Sequence, residues 1–151
     1  MNAKEVSIAL TGKDKKEKER MLCLLFSMFE AYNSNIENSA EIVQALIDYS
    51  IEEKDVDFIC QAQDALDMAF CNPTMTKDRV KQLNFDIIAD NLSLSINNDI
   101  LARFIDILSF SHDTKYADCI LQYMDNEDNS IRQSVNTAIL EMQLQSSLTN
   151  L

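Results

Sequence analysis

Few side chains in this sequence could do chemistry, and each has a structural use as well. The only histidine, His112, stands directly before Asp113. Histidine beside a carboxylate is a common general-base pairing. No Ser or Cys nucleophile can be placed next to it from the sequence, however, and Asp113 stands where a helix needs a cap. A structural or solvated imidazole is therefore expected. A zinc site of the His-Glu-x-x-His type needs two histidines. Asp64 and Asp67, and likewise Asp86 and Asp90, fall on single helix faces, where paired carboxylates could hold a hard cation through oxygen. Solvated acidic faces are the simpler expectation. The acidic run from Asp125 to Asp128 lacks the Gly and the closing Glu of a calcium loop, and no Glu-x-x-His pair exists for a di-iron bundle. The four cysteines, Cys23, Cys60, Cys71 and Cys119, form no Cys-x-x-Cys pair and lie in or beside apolar runs. They read as reduced thiols acting as small hydrophobes, which suits a cytoplasmic protein. No catalytic residue, metal site or cofactor is expected.

The chain around these residues is built for helices. It has 151 residues with one Gly and one Pro, enough for one domain with its own core. Tight turns draw on Gly and Pro, so their scarcity argues for an all-α fold. The same scarcity excludes glycine-rich phosphate loops and dinucleotide fingerprints. The run from Met21 to Phe29 is too short to span a bilayer, and no secretory signal precedes it.

The charge is uneven. The net value is −12, but residues 1–20 carry six bases and four acids, whereas residues 21–151 carry seven bases and twenty-one acids. Such a surface repels nucleic acid and anionic membranes and attracts basic proteins. The alternating charges of residues 13–20 read as the solvated start of a helix running to Tyr32, with Met21, Leu22, Leu25, Met28, Phe29 and Tyr32 on one inward face.

Apolar periodicity and capping residues place the remaining helices. Residues 1–12 suggest a short helix stopped at Gly12 by a left-handed turn. Asn38, with Glu41 three residues on, suggests a capping box ahead of Ile42, Val43, Leu46 and Ile47. Asp55 caps a helix burying Phe58, Ile59, Ala62, Ala65, Leu66 and Phe70. Asn72-Pro73 breaks the chain. Thr76 caps a helix with Val80, Leu83, Ile87 and Ile88 inward, and Asn97 or Asn98 caps its partner. Asp113 caps a helix burying Ala117, Ile120, Leu121 and Met124. This divides one domain, 1–151, into a helical cap at 1–36 and hairpins at 37–71, 76–111 and 113–145.

The last stretch, DNEDNSIRQSVNTAILEM from Asp125 to Met142, is the most distinctive. An acidic turn is followed by an apolar residue and Arg132, then by Val135, Ala138, Ile139 and Met142 at helical spacing. The spacing echoes at Phe58-Ile59, Ala62 and Ala65-Leu66, and at Ile100-Leu101, Phe104 and Ile107-Leu108. The echoes start 42 and 31 residues apart, against roughly 34 to 47 for helix-pair repeats. The stretch resembles the second helix of a HEAT repeat. That resemblance implies a small right-handed α-solenoid in which Asp125 or Asp128 and Arg132 bond neighbouring repeats into a ladder. Ile59 and Leu101 stand where the echoes would need the Arg. The alternative architecture is an irregular helical bundle, since any amphipathic helix yields this spacing.

In a solenoid the second helices line the inner face, and their outward positions are Gln61, Asp64, Arg103, Asp106, Gln133 and Asn136. These are the candidate partner-binding residues. Leu140, Leu144, Leu148 and Leu151 form a separate stripe, read as a wider core face or terminal cap rather than a dimer seam, so a monomer is expected. The functional expectation is a non-enzymatic protein-binding module. Its most concrete form is an immunity- or antitoxin-type inhibitor, bacterial in composition, that neutralises a basic toxin domain such as a nuclease. The alternatives are a scaffold or adaptor in a larger complex, and a helical bundle that binds a metal or small molecule.

Overall fold

A computed structural model describes the backbone of residues 1–32 and 35–149, with side chains up to residue 143. The fold is all-α: among the described residues every regular element is helical. The chain divides into two compact units, Met1–Asn84 and Phe85–Leu151.

The first unit holds α1 (Ala3–Thr11), α2 (Lys15–Glu30), α3 (Ser39–Glu52), α4 (Val56–Cys71) and the short α5 (Lys77–Lys81). A capping box opens α1: Asn2 Oδ1 accepts the Glu5 N–H while Glu5 Oε2 accepts the Asn2 N–H, both at 2.9 Å. Gly12 ends α1, but not by a left-handed turn. Its φ is −69° with extended ψ, and what favours glycine is space, because a Cβ there would lie 3.2 Å from the Ile8 carbonyl oxygen. Asp14 then caps α2. Met21, Leu22, Leu25 and Phe29 are buried, whereas Tyr32 lies beyond the helix end and is exposed. The capping box expected at Asn38 does not form. Asn38 Nδ2 instead donates to the Met1 carbonyl at 2.9 Å, tying the start of α1 to the start of α3. Ile42, Val43, Leu46 and Ile47 from α3 meet Phe58, Ile59, Ala62, Ala65 and Leu66 from α4 in the core. Like packs on like: α1 lies against α3, and α2 against α4, while each hairpin also closes on itself.

Two polar clusters fix this unit. At one end, Asn72 is buried and its Nδ2 donates to the Phe29 carbonyl at 2.7 Å, while its Oδ1 accepts the Thr74 N–H at 2.9 Å. Arg79 Nη1 then reaches the Ile36 and Thr74 carbonyls at 3.0 and 2.8 Å and the Ser39 hydroxyl at 3.1 Å. Backbone groups cut off from water need such partners, and one asparagine and one arginine supply them for the α2–α3 and α4–α5 connections together. In the other cluster, Glu53 Oε2 accepts the Tyr49 hydroxyl at 2.6 Å and the Lys18 ammonium at 3.1 Å, and Oε1 accepts the Lys54 and Asp55 N–H groups. Lys18 also lies 5.6 Å from the centre of the Phe58 ring.

The second unit holds α6 (Asp86–Asn91), α7 (Asn98–Ser109), α8 (Ala117–Leu121) and α9 (Asn129–Thr149). Two expectations fail here. The single helix read from Thr76 through Ile88 is two short ones, α5 and α6. Thr76 caps α5, but the Gln44 side chain takes the Asn84 N–H at 2.7 Å and donates to the Asn84 carbonyl at 3.2 Å, diverting the backbone bonds a continuous helix would need. The helix read after Asp113 is shorter than its periodicity suggests. Asp113 caps a 3₁₀ turn, Thr114–Tyr116, and α8 ends at Leu121. Leu121 and Met124 are exposed; Tyr116 and Ile120 supply the burial instead. The buried Tyr116 ring meets Phe85 edge-on at 6.4 Å and donates its hydroxyl to Asp86 at 2.7 Å. Helix α9 buries Ile131, Val135, Ala138 and Met142 against α7. In the leucine stripe, Leu140 is 59% exposed and so belongs to no core face; the Leu144 and Leu148 side chains and Leu151 lie outside the described residues.

Burial would raise the pKa of Glu53, but the Tyr49 hydroxyl, the Asp55 N–H, the Lys18 ammonium and the Lys54 N–H outweigh it and hold the carboxyl at about 2, against an ordinary 4.5. A depressed carboxyl stabilises the fold above its unfolded pKa, and that contribution is lost as pH falls from 4.5 toward about 2. Glu53→Gln is therefore expected to cost about 2–3 kcal/mol in urea unfolding at pH 7. The deficit should shrink steadily below pH 4.5. A deficit that stays constant down to pH 3 would contradict this assignment.

Candidate partner-binding site

Asn97 opens α7 by accepting the Ile100 N–H at 2.9 Å. From there Ile100, Leu101, Phe104, Ile105, Ile107 and Leu108 turn inward. The same periodicity leaves Asp99, Arg103 and Asp106 in line on the other side. On α9 the inward positions leave Ser130, Gln133, Ser134 and Thr137 in line. Where the two helices pack, these lines border an open groove of about 500 Å³, floored on the α7 side by Ala102. Small residues on the α9 wall keep it open. Carboxylate, guanidinium, amide and hydroxyl groups meet there, able to make hydrogen-bonded and charged contacts.

The turn before α9 sets the register. Arg132 Nη1 donates to the Asn126 carbonyl at 2.6 Å and the Glu127 carbonyl at 2.9 Å, and Nη2 to Asn129 Oδ1 at 3.2 Å. Asp128 Oδ1 accepts the Ser130 N–H at 2.8 Å and its hydroxyl at 2.6 Å. These bonds, the Ser130 hydroxyl foremost, hold the Asp128 carboxyl below its ordinary pKa. Asp128 Oδ2 also accepts Asn98 Nδ2 at 3.2 Å, joining the turn to the start of α7. Of the residues read as a ladder, Asp128 thus reaches the neighbouring helix, Arg132 serves its own turn, and Asp125 is exposed.

The six positions read as partner-facing do not form one site. Arg103, Asp106 and Gln133 line the α7–α9 groove. Asn136 is exposed on α9 but outside that lining. Gln61 and Asp64 belong to the first unit, where they border a smaller cleft of about 300 Å³ between α2 and α4 with Leu22, Cys23, Phe26 and Ser27. Asp99, Ser134 and Thr137 were not singled out from the sequence, and Ser130 was read only as a possible helix cap, with Asn129 the alternative. Their signal was available as the polar i, i+4, i+7 stripe opposite each apolar one. A third cleft, of about 630 Å³, opens between α1 and α2 over Ile8, Ala9, Met21 and Leu24.

The residues weighed for chemistry are placed as follows. His112 has a left-handed backbone, φ 49°. Its Nε2 lies 3.4 Å from Glu141 Oε2. Asp113 uses its carboxylate to accept the Lys115 N–H. Asp86 accepts the Tyr116 hydroxyl and lies 3.3 Å from the Lys115 ammonium. The Tyr116 hydroxyl is pushed up to about 12, by burial first and then by Asp86. Cys23 and Cys71 are exposed, unlike the buried thiols expected, and Cys60 and Cys119 are half-buried. Burial raises the Cys119 pKa, and its thiol donates to the Tyr116 carbonyl at 3.0 Å. Among the described residues no three His, Cys, Asp or Glu side chains converge on a metal position, and no helix is long and apolar enough to cross a membrane. Comparison with protein-family models, curated proteins and solved structures finds no match for this chain.

Arg132 holds three acceptors with one planar group, which a single ammonium cannot reproduce. Arg132→Ala is expected to cost about 1–2 kcal/mol in urea unfolding, with Arg132→Lys recovering less than half. Full recovery by Lys would show that charge alone, and not the fork on the turn carbonyls, is what the site uses.

Proposed function

We propose that this chain is a non-enzymatic protein-binding module of HEAT-like helical hairpins. Its most concrete form is an acidic inhibitor of the immunity or antitoxin type, which binds and neutralises a basic toxin domain such as a nuclease. The α7–α9 groove carries this reading. It is an open polar groove on two firmly packed helices, in a unit whose sequence holds ten carboxylates and three bases. Lys115 is engaged with Asp86 and Arg132 with its own turn. The field around the groove is thus strongly negative. Such a field draws in a basic partner, raises its association rate and disfavours nucleic acid and anionic membranes. An inhibitor that must engage its target before damage is done gains from that rate. The packing of first helix on first helix and second on second supports the repeat reading. A monomer acting in the cytoplasm fits this role.

A second reading, a scaffold or adaptor within a larger assembly, draws on the α1–α2 cleft. Ile8, Leu24 and Met1 are exposed around it, and an apolar opening of this kind suits a further protein packed alongside.

The groove is tested with the protein captured by the tagged chain. The combined variant Asp99→Asn, Asp106→Asn, Gln133→Ala is expected to weaken binding at least about tenfold and to flatten its salt dependence, mainly through slower association. A control removing equal charge from the first unit, Glu37→Gln with Glu52→Gln, should change affinity less than about threefold. Equal losses in both variants would leave the groove with no special part in binding.

A further inference from the structure

The cleft between α1 and α2 opens in a stretch whose charge runs against the rest of the chain. Residues 1–20 hold six bases and four acids, in a chain of net charge −12. The floor of the cleft is apolar and closed, with Ala9 and Met21 both buried. Its lips are Met1, Ile8 and Leu24, all exposed, Ile8 by 63%. Single exposed apolar side chains are ordinary, but several around one recess mark a contact site. The acids of the lining are already engaged. Glu5 accepts the Asn2 N–H, Asp14 caps α2 by accepting the Lys16 and Glu17 N–H groups, and Glu17 pairs with Arg20 at 2.6 Å. Lys13, also on the lining, is exposed. So are Lys4 and Lys16, each one helical turn from a lining residue, Ile8 and Arg20. Of the other charges here, Lys18 is turned to Glu53, and Glu19 is exposed within a turn of Lys15 and Lys16. The edges of the cleft therefore offer ammonium groups to whatever lies in it.

We propose that the α1–α2 cleft docks an amphipathic helix of a partner protein, with aliphatic side chains on its buried face and carboxylates on its flanks. A recess between two packed helices receives a third, whose side chains at i, i+3, i+4 and i+7 fill it. Ile8 and Leu24 then close over the aliphatic face, and Lys4, Lys13 and Lys16 meet the carboxylates. A flat lipid surface could touch the lips of the cleft but could not reach its floor. Docking of this kind deepens the adaptor reading and rests on it, by giving the partner a chemistry. It is independent of the α7–α9 groove, which belongs to the other unit.

The test is fluorescence anisotropy of the full chain with a labelled helical peptide of about eighteen residues, leucine on one face and glutamate on its flanks. The control peptide carries lysine in place of glutamate. A chain of net charge −12 attracts the lysine peptide in general. Binding of the glutamate peptide at least about tenfold more tightly is nevertheless the expected result. Ile8→Gln with Leu24→Gln should weaken it at least about tenfold. Lys13→Gln with Lys16→Gln should weaken it at least about threefold and flatten its salt dependence. All four positions are outside the core, and unchanged urea midpoints check that the variants keep the fold. Equal or tighter binding of the lysine peptide, or no binding of the glutamate peptide up to about 1 mM, would overturn the proposal. So would binding that survives Ile8→Gln with Leu24→Gln, or attachment to phosphatidylserine vesicles in place of the peptide. A partner captured from cells and lost in the Ile8, Leu24 variant, with no preference for the glutamate peptide, would overturn the acidic helix and keep the adaptor reading.

Discussion

The packing of α2 on α4, and of α7 on α9, is the constraint on which the rest of each unit depends. In the first unit α4 meets its neighbours through Ala62, Ala65 and Ala69, all fully buried. In the second, Ala102 on α7 and Ala138 on α9 are buried. Small residues let helices approach closely, and close-packed interiors tolerate little change there. Once the helices are so joined, their polar stripes are brought side by side on the outer face. The α7–α9 groove and the α2–α4 cleft follow from the same contact.

Charge is divided on the same principle. The carboxylates that must be part of the structure are held by fixed donors. Glu53 is largely buried among a hydroxyl, an ammonium and two N–H groups, and Asp128 is clasped by Ser130 and Asn98. A buried carboxylate survives only with such partners. Other acids, among them Asp99, Asp57 and Glu127, are exposed, and their summed field extends beyond the surface. Salt screens that field while leaving the clasped carboxylates in place.

The sequence showed the helices with strong apolar periodicity and missed what side chains do to the backbone between them. The inward faces of α3, α4, α7 and α9 were legible, as were the caps Asp55, Thr76, Asn97 and Asp113, because period and cap are local properties. The break between α5 and α6 was not legible. It depends on Gln44, which is forty residues from Asn84 in the chain. Asn38 was misread as a capping-box residue because its long-range tie to Met1 competes with the local bond. Asn72 was read only as the residue before a proline, and its bonds to the α2–α3 connection are again non-local. Of the outward positions read from the sequence, Arg103, Asp106 and Gln133 line one groove because they lie opposite apolar positions. Gln61 and Asp64 obey the same rule but belong to another cleft. Periodicity tells which face is outward and does not tell which outward faces meet.

The central claim is that an acidic helical surface binds a basic protein. The most direct measurement is capture of partners by the tagged full chain from its native cells, eluted with a rising salt gradient. The account predicts one predominant basic protein, held one to one and released only at high salt. Recovery of a large acidic or neutral assembly, retained with little dependence on salt, would contradict it and leave the acidity as a means of staying in solution.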